Sequence, residues 1–339
     1  MNKKLIIFGP WCGEFSYEIK WWIPEIRKVK NDQFKDWDAI AIGFDGRKVL
    51  YNDFTNAYIA YPKELTDTLK YPATYGEHTD NGDIVPDNLK EFAMQIASHF
   101  KQVKNYDDIK IWWPNSMPIS PHRTLSKTMV FGETRHYTAN QEILDSVKQE
   151  IEFDNNNDTV AVMARMRYRH GTVDKETWNP EHWMTFIEKI ITELKLNIVF
   201  INLESKGSAG GSYNFSEHPI YKKHQKNIKQ INATGEDSVE IQFAILQNTI
   251  CSIFGATGSA FLACLVNSNL FTQQTKENGY RLDVEFDQMK GNLNTSDLEL
   301  KRPYIFDKYD YSNFWDSSPI ELFDEFKKYY STLLIDSKL

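Results

Sequence analysis

The chain is poor in the features that mark secreted, metal-stapled or membrane-spanning proteins. Its three cysteines, Cys12, Cys251 and Cys264, show no C-x-x-C spacing. Neither a disulfide framework nor a zinc ribbon is therefore supported. No apolar run approaches the roughly 18–20 residues of a membrane span. Met1-Asn2-Lys3-Lys4 is followed by only a short apolar stretch, Leu5–Phe8. That is too short for a signal peptide's apolar region, so a soluble, cytoplasmic protein is expected. Internal repeats and low-complexity tracts are lacking. The first strand–helix turn has no G-x-G-x-x-G, and no G-x-x-x-x-G-K-[ST] occurs, which disfavours a dinucleotide-binding enzyme and excludes a Walker-type phosphate loop. Positive charge is also in deficit: 39 Lys and Arg against 47 Asp and Glu give a formal net charge of −8. Broad nucleic-acid affinity is disfavoured by that balance, although a local basic groove is not.

What is present suffices for ordinary cores: 41% hydrophobic and 14% aromatic residues, in a chain of 339 with room for two domains. Asn, Lys, Tyr and Ile are frequent, as in proteins of AT-rich coding genomes such as those of viruses or phages, for which the compartment is the host cytoplasm. Strands are predicted at Leu5–Phe8, Ala39–Phe44 and Ile109–Trp113, with helices over Glu14–Lys30 and Asp87–Phe100. Phe15, Ile19, Trp22, Ile23, Ile26 and Val29 recur at helical spacing, and Pro24 should kink that helix or mark its true start. The polar tract 154–158 reads as a linker. Beyond it come a strand at Thr159–Ala164 and a helix with Asn179 as N-cap and Pro180 at its first position. A strand at Asn197–Leu203, a glycine-rich loop at 206–212, a helix near Ser238–Gln247, a strand at Thr249–Phe254 and a helix over Ala260–Val266 follow. The pattern predicts an α/β protein of two Rossmann-like, doubly wound domains facing a cleft, 1–154 and 155–315. A terminal helix within 316–339 would pack back on the first.

Two segments stand out as anion-binding signatures. Arg165, Arg167 and Arg169, with His170 beside them, follow the apolar strand Thr159–Ala164. In one extended segment their alternation would put all three guanidinium groups on one side. Such a cluster repels itself unless it meets carboxylates or a phosphorylated ligand. The second is Gly255-Ala256-Thr257-Gly258-Ser259, where a strand turns into a helix and offers free backbone N–H groups. Together they point to a diphosphate at the C-terminal edge of a parallel sheet, and a structural ion-pair network is the alternative.

Thr234-Gly235 and Ser238, then a helix, a strand, Thr257-Gly258 and Leu262-Ala263 resemble the donor-binding region of GT-B glycosyltransferases, most closely the heptosyltransferase-like group, over about 35 residues. That group has T-G-x-x-S followed by D-T-G-x-x-H-L-A; here Ala256 replaces the Asp and Phe261 the His. The resemblance implies a nucleotide-sugar glycosyltransferase of GT-B-like fold, inverting and independent of metal. Arg165, Arg167, Arg169, Thr257, Gly258 and Ser259 would hold the donor diphosphate, with Gly255, Glu204 and Ser205 as further donor contacts. In the first loop, Gly13-Glu14 resembles the group's Gly-Asp pair, which makes Glu14 the acceptor's base and Glu18, one turn on, the second choice. Gly13 and Trp11 would line the acceptor side, where Trp11, Trp21 or Trp22 can stack on a sugar.

No permanently bound cofactor is implied; a UDP-, GDP- or ADP-linked sugar is the co-substrate. The partner is a hydroxyl acceptor, with a glycan or lipid-linked saccharide first. Second is a hydroxymethylated DNA base, for which Arg47, Lys48, Lys101, Lys104, Lys110, Arg123, Lys127 and Arg135 are the available charges. His122-Arg123 and Arg135-His136 read as solvated surface. Pyruvyl transfer or sugar-nucleotide epimerisation on the same fold, and a non-catalytic nucleotide-sugar or glycan-binding protein, are further alternatives. Asp36-Trp37-Asp38 matches the D-x-D of metal-dependent transferases but precedes a strand, so it would face away from the site.

Overall fold

Short apolar runs lie side by side as parallel strands in two separate sheets, in a computed structural model. It describes residues 3–13, 15–67, 85–114, 132–166, 168–169, 172–173, 177–203, 211–255, 258–275, 286–287, 300–308 and 317–336. The chain divides into a first unit (Met1–Arg135, Gly235–Ser238, Met289–Leu298) and a second (His136–Thr234, Val239–Gln288, Glu299–Leu339).

The first unit holds β1 (Lys4–Phe8), β2 (Asp38–Gly43), β3 (Ala57–Ala60) and β4 (Asp108–Trp112), all parallel, in the order β3-β2-β1-β4. The predicted helix after β1 is broken into pieces. A short α-turn at Phe15–Tyr17 runs into a π-helical turn, Glu18–Trp22, and only then into a regular helix, Ile23–Gln33. Pro24 is the reason. It has no N–H to donate to the carbonyl four residues back, and its ring crowds that carbonyl, so the preceding turn widens and the α-helix restarts around it. The helix Asp87–Val103 packs Leu89 and Ala93 on the sheet.

The second unit contains β5 (Thr159–Met163), the two-residue strands β6 (Arg165–Met166), β7 (Tyr168–Arg169) and β8 (Thr172–Val173), then β9 (Asn197–Asn202), β10 (Gly211–Ser212), β11 (Ile228–Asn232), β12 (Cys251–Phe254), β13 (Leu270–Thr275) and β14 (Tyr304–Lys308). Six of them form one parallel sheet in the order β11-β9-β5-β12-β13-β14. Numbered by appearance within that sheet, this is 3-2-1-4-5-6, the doubly wound Rossmann order. Its central strands are buried on both faces, which is why β5 and β9 read as continuous apolar runs rather than alternating ones. The helix Pro180–Leu194 starts as predicted: Asn179 Oδ1 accepts the Glu181 N–H at 2.9 Å.

Two expectations about organisation are corrected. The tract 154–158 is not a linker. Asn155 and Asn197 exchange side-chain hydrogen bonds of 2.7 and 3.1 Å, and the Asn197 N–H donates to Asp158 O at 2.8 Å. The turn formers thus tie the chain into the N-terminal edge of β5 and β9. The division falls instead at 135/136, because 136–140 is fastened to the second unit. Tyr137 stacks on Phe243 at 5.5 Å and donates its N–H to Leu265 O, and the Asn140 N–H reaches buried Glu240 at 2.7 Å. The terminal helix, Pro319–Asp336, belongs to the second unit and not to the first. Its Leu322, Phe323, Phe326, Tyr329 and Tyr330 enter the core with Phe186, Ile190 and Phe271.

Candidate functional site

In the second unit the strand order reverses between β5 and β12, and their ends are paired, Phe254 beside Met163. A crevice at that point is where open α/β sheets bind ligands. Each strand delivers one of the two segments expected from the sequence to meet an anion. After β5, Ala164 accepts the Tyr213 N–H at 2.9 Å and Arg165 begins β6, half-buried, opposite Ser212 of β10. After β12, buried Gly255 leads to the 3-10 turn Gly258–Ala260, in which Ser259 is half-buried. The Thr272 hydroxyl, from β13, reaches Gly255 O at 3.5 Å.

The three arginines do not share one continuous strand. Arg165 lies in β6, which pairs with β10, whereas Arg169 lies in β7, which pairs with β8 in a hairpin of its own. Arg167, His170, Thr257, Ala256, Glu204 and Ser205 lie outside the described residues. The helix expected to supply a dipole is short: Phe261–Leu265 has 5 residues, all buried. A dipole that small adds little, so any anion-binding role falls to Arg165 and the backbone N–H groups of the turn. Phe261, at the position of the resembling group's His, is only 1% exposed and faces the core, so nothing polar is presented there. Gly235 has φ +75° and its carbonyl accepts the Ser238 N–H at the start of the helix Ser238–Gln247.

In the first unit the loop after β1 is clamped at its own strand-order reversal, between β1 and β4. The Gly9 N–H donates to Trp112 O at 3.0 Å and the Trp11 N–H to Ile42 O at 3.1 Å. Gly9 has φ +115°, and a Cβ there would lie 2.5 Å from Ile42 O, so only glycine fits. Gly13 is buried, and Glu14 lies outside the described residues. Trp11 is not an acceptor platform. It is 2% exposed, stacks on Trp22 at 5.4 Å, and its carbonyl accepts the Tyr61 hydroxyl at 2.9 Å. Trp21 and Trp22 are buried as well.

Glu18 is likewise inside, with no exposed surface. Its carboxylate accepts from Arg47 and, at 2.6 Å, from the Tyr51 hydroxyl. The Arg47 guanidinium sits over the Phe15 and Phe44 rings, at 4.9 and 4.6 Å. Burial pushes the Glu18 carboxyl upward, while Arg47 and Tyr51 pull it down. A carboxylate closed off in this way anchors the start of the helix and does not meet an acceptor hydroxyl. Sequence reasoning counted Arg47 only as an available charge. Its true signal was its place just past a strand end, opposite an acid one helical turn into the first unit's helix.

Of the other proposed basic groups, Lys48, Lys101 and Lys104 are exposed. Arg135 pairs with Asp53 at 3.2 Å, and Asp53 also receives Arg27 at 2.7 Å. Lys110 lies over the Phe34 and Trp37 rings, and His136 Nδ1 is 3.2 Å from Leu265 O. His122, Arg123 and Lys127 lie outside the described residues. Asp38 opens β2, at the N-terminal edge of the sheet, and accepts the Tyr106 hydroxyl at 2.6 Å. An acid that sequence reasoning passed over is Glu25, half-buried near the start of its helix, whose carboxyl burial pushes up to about 7. No helix among the described residues is long and apolar enough to cross a membrane.

No protein-family model matches the chain, and no curated protein matches it in sequence. Solved structures do. A glycosyl transferase of family 9 from Veillonella parvula superposes with a TM-score of 0.55 at 11% identity, covering 98% of this chain and 97% of its own. The E. coli ADP-heptose lps heptosyltransferase II gives 0.55 at 10% identity, over 99% and 100%. The E. coli heptosyltransferase WaaC with ADP-2-deoxy-2-fluoro heptose gives 0.51 at 10%, over 96% and 99%. At such identities the likeness is one of fold: the chain has the GT-B-like fold, two Rossmann-like units, of these heptosyltransferase structures.

Proposed function

We propose that the protein is a nucleotide-sugar-dependent glycosyltransferase, inverting and metal-independent, whose second unit binds the donor. One observation carries the reading. The Arg165 strand end and the Gly255–Ser259 turn, recognised separately as anion-binding segments, belong to adjacent strands at the reversal point of a 3-2-1-4-5-6 sheet. The fold likeness supports the same class, since the similar proteins are named as glycosyl and heptosyl transferases, one of them with an ADP-sugar analogue.

In this reading Arg165, Arg167 and Arg169, with the N–H groups around Thr257, Gly258 and Ser259, hold the donor diphosphate. Gly255, Glu204 and Ser205 complete the donor contacts. Glu14, in the loop after β1, takes the acceptor hydroxyl's proton. The freed oxygen attacks the anomeric carbon as the bond to the diphosphate breaks, and the leaving nucleoside diphosphate carries its new charge onto the arginines. Fixed guanidinium groups do there what a divalent cation does in other transferases. A glycan or lipid-linked saccharide hydroxyl is the acceptor.

Calorimetric titration with UDP, GDP, ADP, CDP and dTDP and their common sugar conjugates tests this. One nucleotide family should bind selectively, and Arg165→Ala and Ser259→Ala should each weaken it roughly tenfold, the worth of a charge-assisted contact. Unchanged affinity in both variants would place the donor elsewhere.

A further inference from the structure

A hydrogen-bond relay runs along the C-terminal edge of β9 and β11. The Leu203 N–H can only donate, and it donates to Ser212 Oγ at 2.8 Å. The Ser212 hydroxyl donates to Asn202 Oδ1, also at 2.8 Å. With that oxygen engaged, Asn202 turns its amide nitrogen the other way and donates to Asn232 Oδ1 at 2.6 Å. With its Oδ1 taken up by Asn202, Asn232 has its two N–H donors left to present. Asn202 and Asn232 are register partners at the last positions of their strands, the first half-buried and the second exposed.

Backbone needs explain only the first link, the Leu203 N–H. The Ala233 N–H already donates to Asn202 O at 2.9 Å, and the Ser212 and Tyr213 N–H groups have carbonyl partners at Leu203 and Ala164. Its product is one aimed amide on an otherwise ordinary strand end.

Position gives that amide a task. In this strand order a diphosphate lies at the reversal point, and the ribose is met at the end of the second strand of the sheet. That second strand is β9, and β11 lies one place further out. At about 4.8 Å per strand, Asn232 stands roughly 10 Å from the end of β5, on the side the nucleoside would take. We infer that Asn232 reads the nucleobase of the donor by donating to a ring carbonyl or an unprotonated ring nitrogen. Ser212 and Asn202 are positioning residues that keep its amide from flipping. The inference rests on the donor reading above and adds base selection to it.

The test titrates ADP, GDP, UDP, CDP, dTDP and inorganic pyrophosphate into the wild type and into Asn232→Ala, Asn232→Asp and Ser212→Ala. Asn232→Ala should lower affinity for the preferred diphosphate roughly five- to tenfold, the range of one hydrogen bond, and leave pyrophosphate unchanged. Asn232→Asp, which turns donors into acceptors, should reorder the five nucleotides. Ser212→Ala should narrow the preference without abolishing binding. An exposed side chain at a strand end should not compromise folding, and an unshifted melting curve verifies that. If Asn232→Ala leaves the nucleotide ranking intact while Arg165→Ala weakens every member, the base is read elsewhere and the donor site stands. An equal loss for pyrophosphate would also overturn base reading. If neither nucleotides nor pyrophosphate bind the wild type, both readings fall.

Discussion

Glu18 and Glu25 sit seven residues apart on the same segment and illustrate two fates of a buried acid. Glu18 is paired: Arg47 and Tyr51 both donate to it, and the Phe15 and Phe44 rings cover the guanidinium. Truncating it leaves a largely buried arginine without its counter-charge. Breaking such a pair costs about 3 kcal/mol, more than the pair itself contributes. Glu18→Ala should therefore lower the unfolding free energy in urea by about that amount, and Glu18→Gln, which still accepts from Tyr51, by less. A loss within about 0.5 kcal/mol, the range of an ordinary surface change, would mean that the anchor is ornamental. Among the described residues Glu25 has no such partner to offset its burial, and its carboxyl rises from 4.5 to about 7. The folded state then holds a proton that the unfolded chain releases near 4.5. Stability is full below that pH and falls as pH rises from there to about 7, by at most about 3 kcal/mol. Glu25→Gln should flatten the dependence and melt higher than the wild type at pH 8. Identical pH profiles for the two proteins would show that Glu25 ionises normally.

Elements whose signals are local were legible in the sequence, and those defined by their neighbours were not. Asn179-Pro180 places the helix start to the residue, because an N-cap and a fixed φ are properties of the chain itself. The apolar runs of β5, β9 and β12 announce buried central strands. In contrast β11 (Ile-Lys-Gln-Ile-Asn) lies at the sheet's edge with part of its surface exposed, and β13 carries Gln273 and Gln274, so neither shows an apolar run. The short strand β3, four residues at the edge of the other sheet, was missed as well. The helix Gln141–Ile151 was hidden by the polar tract that follows it, which drew the domain boundary some 20 residues too far along. At the candidate site, Arg165 and the Gly255–Ser259 turn were legible as charge and glycine at strand ends. The side-chain relay ending at Asn232 was not. A carboxamide acquires direction only from its partners, and Ser212, Asn202 and Asn232 meet only when β9, β10 and β11 are assembled.

At the scale of the whole chain, the two sheets repeat one plan, since β3-β2-β1-β4 is the first part of the six-stranded order. Each unit thus has a reversal point beside its first strand, and strand order alone does not say which one takes a nucleotide. The loops decide. In the first unit the loop after β1 is filled by Trp11 and closed by backbone bonds to its neighbours on either side, Ile42 and Trp112. In the second unit the equivalent strand end delivers an arginine, and the adjacent strand delivers a glycine-bounded turn. Among the described residues at these two strand ends, the second offers an arginine beside turn N–H groups, the combination that a diphosphate requires. Amide hydrogen exchange with and without the best-binding nucleoside diphosphate separates the two. Protection should rise around 164–166 and 254–260, because a bound anion takes hydrogen bonds from those amides and lowers the population of locally open states. Strands β2 and β3, away from any donor contact in this reading, should exchange at unchanged rates. Protection gathered at 9–13 instead would move the nucleotide to the first unit. It would make the arginines at 165–169 an ion-pair network, the role that a net charge of −8 makes available to any cationic cluster on this chain.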